Sequence, residues 1–320
     1  MFFSSKPRNI FDPPTPFERI VSSPLTFLVT SIYELFQSLR PAPSPHSPPI
    51  RVVCISDTHT LTYDIPNGDL LIHAGDLANA GTTSEIQNQL DWLSSLPHPQ
   101  KVAIAGNHDT YLDPRSRMTL DEKDRTDILD WHGIIYLQHS SITLNFPERQ
   151  NRQLKIYGAP QIPKCGGSQF AFQYNRGQDA WSDTVPPNLD ILITHTPPKY
   201  HCDLAAALGC EWLLKEVWRV KPKLHVCGHI HAGAGREVLW WDQSQGAYES
   251  LRARSKKGLL LSMIDPEFWL EAAALLLLGL RGIVWTRIWG GEQRSTTLVN
   301  AALMYNNTGK LGNQVQVVLI

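Results

Sequence analysis

Val52-Val53-Cys54-Ile55-Ser56-Asp57-Thr58-His59 is the stretch on which the fold turns: four apolar residues, a serine, then two metal-competent side chains one residue apart. A short apolar run closed by polar residues fits a buried strand. The same pattern returns four times. Leu70–His73 leads into Ala74-Gly75-Asp76, and Val102–Ala105 into Gly106-Asn107-His108-Asp109. Ile191–Thr194 leads into His195-Thr196-Pro197, and Leu224–Cys227 into Gly228-His229-Ile230-His231. Helical patterns at Ser84–Ser95, Arg125–Trp131 and Cys210–Val220 fall between these runs, and Leu137–Phe146 and Gln153–Tyr157 read as further strands. Such alternation predicts an α/β fold. In open α/β sheets ligands bind beyond the carboxyl ends of the strands. Five polar clusters far apart in sequence are therefore expected to converge on one crevice.

The residue types at those strand ends define the chemistry. Asp57, His59, Asp76, Asn107, His195, His229 and His231 form a mixed nitrogen and oxygen donor set, which suits divalent first-row ions such as Mn, Fe or Zn. They exceed what one tetrahedral ion accepts, whereas two ions sharing a carboxylate accommodate them. Two such ions can activate a bridging water and neutralise the oxygens of an in-line phosphoryl displacement. In Asp57-x-His59 and His229-x-His231, alternate residues of an extended chain project the same way. Glycines at 75, 106 and 228 are expected to let the backbone turn so that the donors face the crevice.

The ordered set D-x-H, G-D, G-N-H-D, H and G-H-x-H resembles the calcineurin-like metallophosphoesterase superfamily, over roughly Arg51 to Ala234. The branch of metallophosphoesterase-domain-containing proteins is the nearer likeness. The resemblance implies a four-layer α/β/β/α sandwich of two mixed sheets flanked by helices. It implies that Asp57, His59 and His231 bind one metal, that Asn107, His195 and His229 bind the other, and that Asp76 bridges them. His108 would then protonate the leaving alkoxide or stabilise the phosphoryl oxygens, and Asp109 would orient His108. The implied reaction is hydrolysis of a phosphoester by a metal-bridging hydroxide, with phosphodiesters slightly favoured over phosphomonoesters or diphosphates. Some animal relatives have glycine in place of the first histidine of the last motif. His229 stands there in this chain, so a binuclear centre is expected rather than the alternative, a catalytically weak binding or scaffold protein that keeps the fold.

The rest of the chain bounds the reading. Of 320 residues, 42% are hydrophobic, enough for a substantial core. Lysine plus arginine is 29 against 30 aspartate plus glutamate, which argues against a broad nucleic-acid surface. The partner expected is a small-molecule phosphoester. Cys54, Cys165, Cys202, Cys210 and Cys227 lack zinc-ribbon spacing and read as reduced thiols in a cytosol-like compartment. The start has no apolar run with a cleavage site, so no cleavable signal peptide is expected. Nor is any run of ~20 apolar residues, the length of a membrane span, read from the sequence.

Residues 1–49 read as an extension with an amphipathic helix over Pro24–Leu39 and a proline-rich linker. Residues 50–320 read as the catalytic domain, with an apolar insertion at about 240–292. Within that insertion Asp265-Pro266-Glu267 is expected to open a helix that is apolar all round and therefore buried. Peripheral membrane contact through 24–39 or 268–285 is the sharper alternative. The loop containing Phe170, Phe172, Tyr174, Arg176, Gln178 and Trp181 lies just upstream of the His195 strand, and Arg176 is its candidate phosphate contact. Of the remaining histidines, His73 and His225 read as core or supporting groups, and His98, His132, His139 and His201 as surface or loop residues.

Overall fold

A computed structural model describes residues 15–22, 24–204, 206–254, 263–291, 293–306 and 308–320. They divide into two compact units. The first spans 44–237 and 297–320, and the second spans 13–43 and 238–296.

The first unit is built on two large mixed sheets. Strands β1 (Arg51–Ile55), β2 (Leu70–Ala74), β3 (Gln100–Ile104) and β4 (Ile135–Tyr136) run parallel. The last strand, β13 (Gln316–Leu319), joins β1 antiparallel, giving the order β13-β1-β2-β3-β4. The other sheet takes β5 (Ser140–Phe146), β6 (Arg152–Ala159), β9 (Ile191–Thr194), β10 (Leu224–Cys227), β11 (Gly235–Leu239) and β12 (Thr296–Asn300), in the order β11-β12-β10-β9-β6-β5. A short pair, β7 (Ile162–Pro163) and β8 (Gln173–Tyr174), lies apart.

The period of two explains the layering. Val52 and Cys54 of β1 join residues of both sheets, among them Ile72, Ile104, Ile156, Ile193 and Val226, in one buried core. Val53 and Ile55, pointing the other way, join Ile86, Leu90 and Leu93 of helix α3 (Thr83–Ser95). Helix α3 starts where the Thr82 side chain accepts the Glu85 N–H. Helix α4 (Glu211–Val220) buries Leu213, Leu214, Val217 and Val220. The fold is a mixed α/β sandwich of two sheets flanked by helices, α/β as the strand and helix pattern predicts and two-sheeted as the family resemblance implies.

Two local expectations are corrected. Arg125–Trp131 is not helical. Ile128 in its middle is 94% exposed, so no continuous apolar stripe exists to bury, and Asp124, Asp127 and Asp130 favour local turns over helix. The stretch read as one strand over Leu137–Phe146 begins only at Ser140, and β4 just before it belongs to the other sheet. His139, at φ 50°, turns the chain from one sheet to the other.

In the second unit, α1 (Pro16–Ser22), α2 (Pro24–Leu39), α5 (Gln243–Arg254) and α6 (Pro266–Arg287) are helical. Asp265 caps α6 by accepting the Glu267 N–H, with Pro266 in the first turn. Val29 and Tyr33 pack with Ala247, Tyr248, Leu251, Phe268 and Leu275, and the Tyr33 and Tyr248 rings stack at 3.9 Å. The expectation that α6 is buried all round is overturned, since Leu270, Leu277 and Leu280 are 70, 69 and 53% exposed. So is the expectation of no membrane-length segment: Pro266–Arg287 has the length and composition of one.

Candidate metal centre

Five loops bring the predicted donors together at the carboxyl ends of β1, β2, β3, β9 and β10. Asp57, His59, Asp76, Asn107 and His195 are at most 5% exposed. His231 Nε2 lies 3.2 Å from Asp57 Oδ1 and 3.3 Å from His59 Nε2. His59 Nε2 lies 3.7 Å from Asp76 Oδ2, and His195 Nε2 lies 3.3 Å from that same oxygen. His195 Nε2 is also 3.1 Å from Asn107 Oδ1, and the His195 and His229 rings are 5.2 Å apart. Two donor groups result, Asp57-His59-His231 and Asp76-His195-His229, each with its donor atoms within 4.8 Å of one another. Asp76 also groups with His59 and His108, so its carboxylate lies between the two sets.

The backbone at these loops is held in an uncommon conformation. Asp57, His59, Asp76 and His229 have φ of 54°, 47°, 55° and 67°, the left-handed region that non-glycine residues seldom occupy. Such strain persists only where surrounding bonds over-determine it, and it clusters at functional sites. Here the His59 N–H donates to Asp76 O at 3.1 Å and the Asp57 N–H to Gly75 O at 2.9 Å. The His229 N–H donates to the Asp57 carboxylate at 3.0 Å, and the His108 N–H to Asp76 Oδ1 at 2.7 Å. Of the three glycines expected to permit turns, Gly75 does so at φ 100°. Gly106 serves close approach instead: a Cβ there would run into Asp76 Oδ1 and His195 Cε1.

The donor chemistry fits cations. His195 Nδ1 donates to Ala74 O at 2.9 Å, and His231 Nδ1 to Asn306 O. That fixes each ring so that the Nε2 of its neutral form is an acceptor, aimed at carboxylate oxygens that are acceptors too. Lone pairs facing lone pairs in a buried site call for protons or metal ions between them. Electrostatics tell the same story. Burial opposes charge on His195, yet Asp76 and Asp57 prevail and hold it up at about 9. Burial likewise works against ionised Asp57 and Asp76, but the imidazoles hold both well below the ordinary carboxylate range. His229 is driven down to about 3, chiefly by burial, which leaves it neutral and ready to ligate.

Asp109 requires a correction. It was expected to orient His108, but His108 Nδ1 donates to Asn79 O at 2.7 Å. The Asp109 carboxylate instead accepts the Ala78 N–H at 3.0 Å and the Gly106 N–H at 2.7 Å. Burial, with Asp76 nearby, pushes it up to about 7 against those two donors. It ties the loop after β2 to the loop after β3. The aspartate follows the asparagine and histidine so closely in sequence that nothing in the motif distinguishes the two roles.

The histidines outside the cluster divide. His73 Nε2 meets Thr58 Oγ1 at 3.0 Å, and His225 Nε2 meets Thr194 Oγ1 at 2.8 Å. Both are buried supports. His98 and His201, expected as surface or loop residues, lie in loops but are buried, with His98 Nε2 against Pro66 O and His201 Nδ1 against Glu237 Oε1. All five cysteines are free.

A cleft of about 430 Å³ opens beside the donors, lined by His108, His229 and His231 together with Lys164, Phe170 and Arg176. Phe170 lies 4.8 Å from the His108 ring. Arg176 donates to Lys164 O at 2.9 Å and Leu208 O at 3.3 Å, which occupies two of its five N–H donors. Lys164 was not singled out in the sequence, because a lone lysine before Cys165-Gly166-Gly167 carries no spacing signal.

Residues 50–233 match the family model for calcineurin-like phosphoesterases. The chain is 40% identical over 255 residues to the probable rhamnogalacturonate lyase C of Emericella nidulans, covering 79% of this chain and 23% of that protein. It is 38% identical over 223 residues to human metallophosphoesterase domain-containing protein 1, covering 60% of this chain and 65% of that one. Among solved structures, TT1561 of Thermus thermophilus aligns with a TM-score of 0.38 and 14% identity, over 60% of this chain and 85% of that one.

Proposed function

The chain belongs to the calcineurin-like phosphoesterase family, whose members are metal-dependent, and we propose on that premise that it hydrolyses a phosphodiester at two divalent metal ions. The observation that carries the reading is the position of Asp76, whose Oδ2 lies 3.7 Å from His59 Nε2 and 3.3 Å from His195 Nε2. Asp57, His59 and His231 would hold one ion, and Asn107, His195 and His229 the other, with Asp76 serving both. Bound there, the ions supply an activated water and neutralise charge on the phosphoryl oxygens.

The chain's own groups do the rest. His108, which lines the cleft, is the proton donor to the leaving oxygen: Asn79 O engages its Nδ1–H, which leaves Nε2 as the atom that delivers the proton. Arg176 offers its unused N–H groups to a phosphate oxygen. Room beside the donors, bounded by Phe170, Leu204 and Leu208, suits the organic group of an ester over inorganic phosphate. The lyase name of the Emericella protein is not carried over, because the alignment reaches only 23% of that protein.

The test is turnover of bis-p-nitrophenyl phosphate and p-nitrophenyl phosphate by purified protein loaded with Mn, Co, Ni or Zn, alongside metal analysis. Metal-dependent hydrolysis, faster on the diester and with two ions per chain, is expected. A single ion would refute the binuclear centre, and no turnover with any of these metals would favour a binding or scaffold protein.

A further inference from the structure

Helix α6 turns most of its leucines away from the helices it packs on. Its buried residues are Phe268, Leu275, Gly279, Gly282 and Thr286, and Phe268 and Leu275 sit against α2 and α5. The other face presents Trp269, Leu270, Leu276, Leu277 and Leu280, between 43 and 70% exposed. Trp285, Ile288 and Trp289 extend the exposed apolar series past the helix end. A contiguous apolar face of this kind marks an interaction site.

Three features select the occupant. Tryptophans stand at both ends of the leucine band, Trp269 at one and Trp285 with Trp289 at the other, and tryptophan favours the level of lipid headgroups. The acids of α6 are engaged: Glu267 pairs with Arg254 at 2.6 Å and Glu271 accepts from Ser250 Oγ at 3.2 Å. Arg281, exposed at the edge of the band, makes no ion pair among the described residues, so the face borders on unneutralised positive charge. A second copy of the face would bring no unengaged acid to meet it, whereas an anionic lipid surface would. Finally, α6 is long and apolar enough to cross a bilayer, but its inner face lies on α5, which carries Gln243, Ser244, Gln245, Glu249 and Arg252. Crossing would drag those groups into hydrocarbon. The helix is therefore suited to lying along the interface.

We infer that the helical unit of residues 13–43 and 238–296 docks peripherally on an anionic lipid surface through this face of α6. The full chain is sedimented with vesicles of phosphatidylcholine, alone or with phosphatidylserine added. Binding is expected to the phosphatidylserine vesicles and to weaken with salt. Arg281→Gln should lower the partition by about fivefold. Leu277→Glu with Leu280→Glu should lower it by roughly tenfold or more, while the circular dichroism and the hydrolysis of bis-p-nitrophenyl phosphate in free solution stay unchanged. These side chains are exposed and lie outside the metal cradle, so failure to bind lipid is distinguishable from failure of the phosphodiesterase reading. No sedimentation with either vesicle, or sedimentation indifferent to the leucine substitutions, would overturn the inference. So would a concentration-dependent dimer lost in the double variant, which would give the face to a second copy. Resistance to alkaline carbonate extraction would overturn it in favour of a span.

Discussion

The two units use apolar residues in opposite ways. In the sheet unit the apolar run of each central strand is enclosed: Leu70, Ile72, Ile193 and Val226 have no exposed surface, and only the strand ends are polar. In the helical unit, α6 is as apolar in composition, yet Leu270 and Leu277 stand 70 and 69% exposed. The difference teaches that apolar composition does not decide burial; what packs on each face does. A strand between two layers has both faces covered, whereas among the described residues α6 packs on α2 and α5 with one side. Polar groups show the reverse contrast. The sheet unit buries Asp57, Asp76 and His195 where a cluster of opposite charge compensates them, a cost that needs a functional return.

Substitutions can break or sharpen that contrast. The largest effect is expected at Asp76, whose buried charge serves both donor groups. Asp76→Asn should reduce both metal content and turnover to near background, and a variant that kept its metals by elemental analysis would break the shared-carboxylate reading. His108→Ala comes next, with turnover down by ~10²–10⁴-fold and metals retained. Loss of metal there would make His108 a ligand instead. In the enclosed core, Ile193→Ala should cost ~2–5 kcal/mol in urea unfolding. Leu277→Ala on α6 should cost under about 0.5 kcal/mol, and equal costs would abolish the distinction between the units.

A modest effect concerns pH. Partial burial works to raise the Asp69 carboxyl, but hydrogen bonds from Arg149 and the Arg51 N–H outweigh it and hold it below the usual range. A carboxylate depressed in the folded state stabilises above its unfolded pKa of about 3.9, and that stabilisation is lost as pH falls through the lower folded value. Asp69→Asn should therefore cost ~1 kcal/mol near neutral pH and nothing in strong acid. A difference independent of pH would show that charge is not the cause.

What the sequence displayed and what it hid follow from the same physics. The five strands were legible because each is a short apolar run ended by polar residues, and within each of the two sheets the donors lie at one end because parallel strands share a direction. The role of Asp109 was hidden: its partners are the backbone N–H groups of Ala78 and Gly106, and backbone groups leave no trace in residue identity. Asn79 escaped notice for the same reason, acting on His108 through its carbonyl. For α6, a helix apolar on all sides has no moment to say which side is covered. In Arg125–Trp131, Leu129 and Trp131 pack on the core beneath α3 while Ile128 stands in solvent, so the apparent helical period does not follow the face that is buried.

The Asp109 carboxylate acts as a strut. One of its oxygens braces the loop that carries Asp76, and the other braces the loop that carries Asn107, so neither can drift without the other. Anyone transplanting this cradle onto another sheet by copying its ligands alone would leave the brace behind, and the two halves would lose their common spacing.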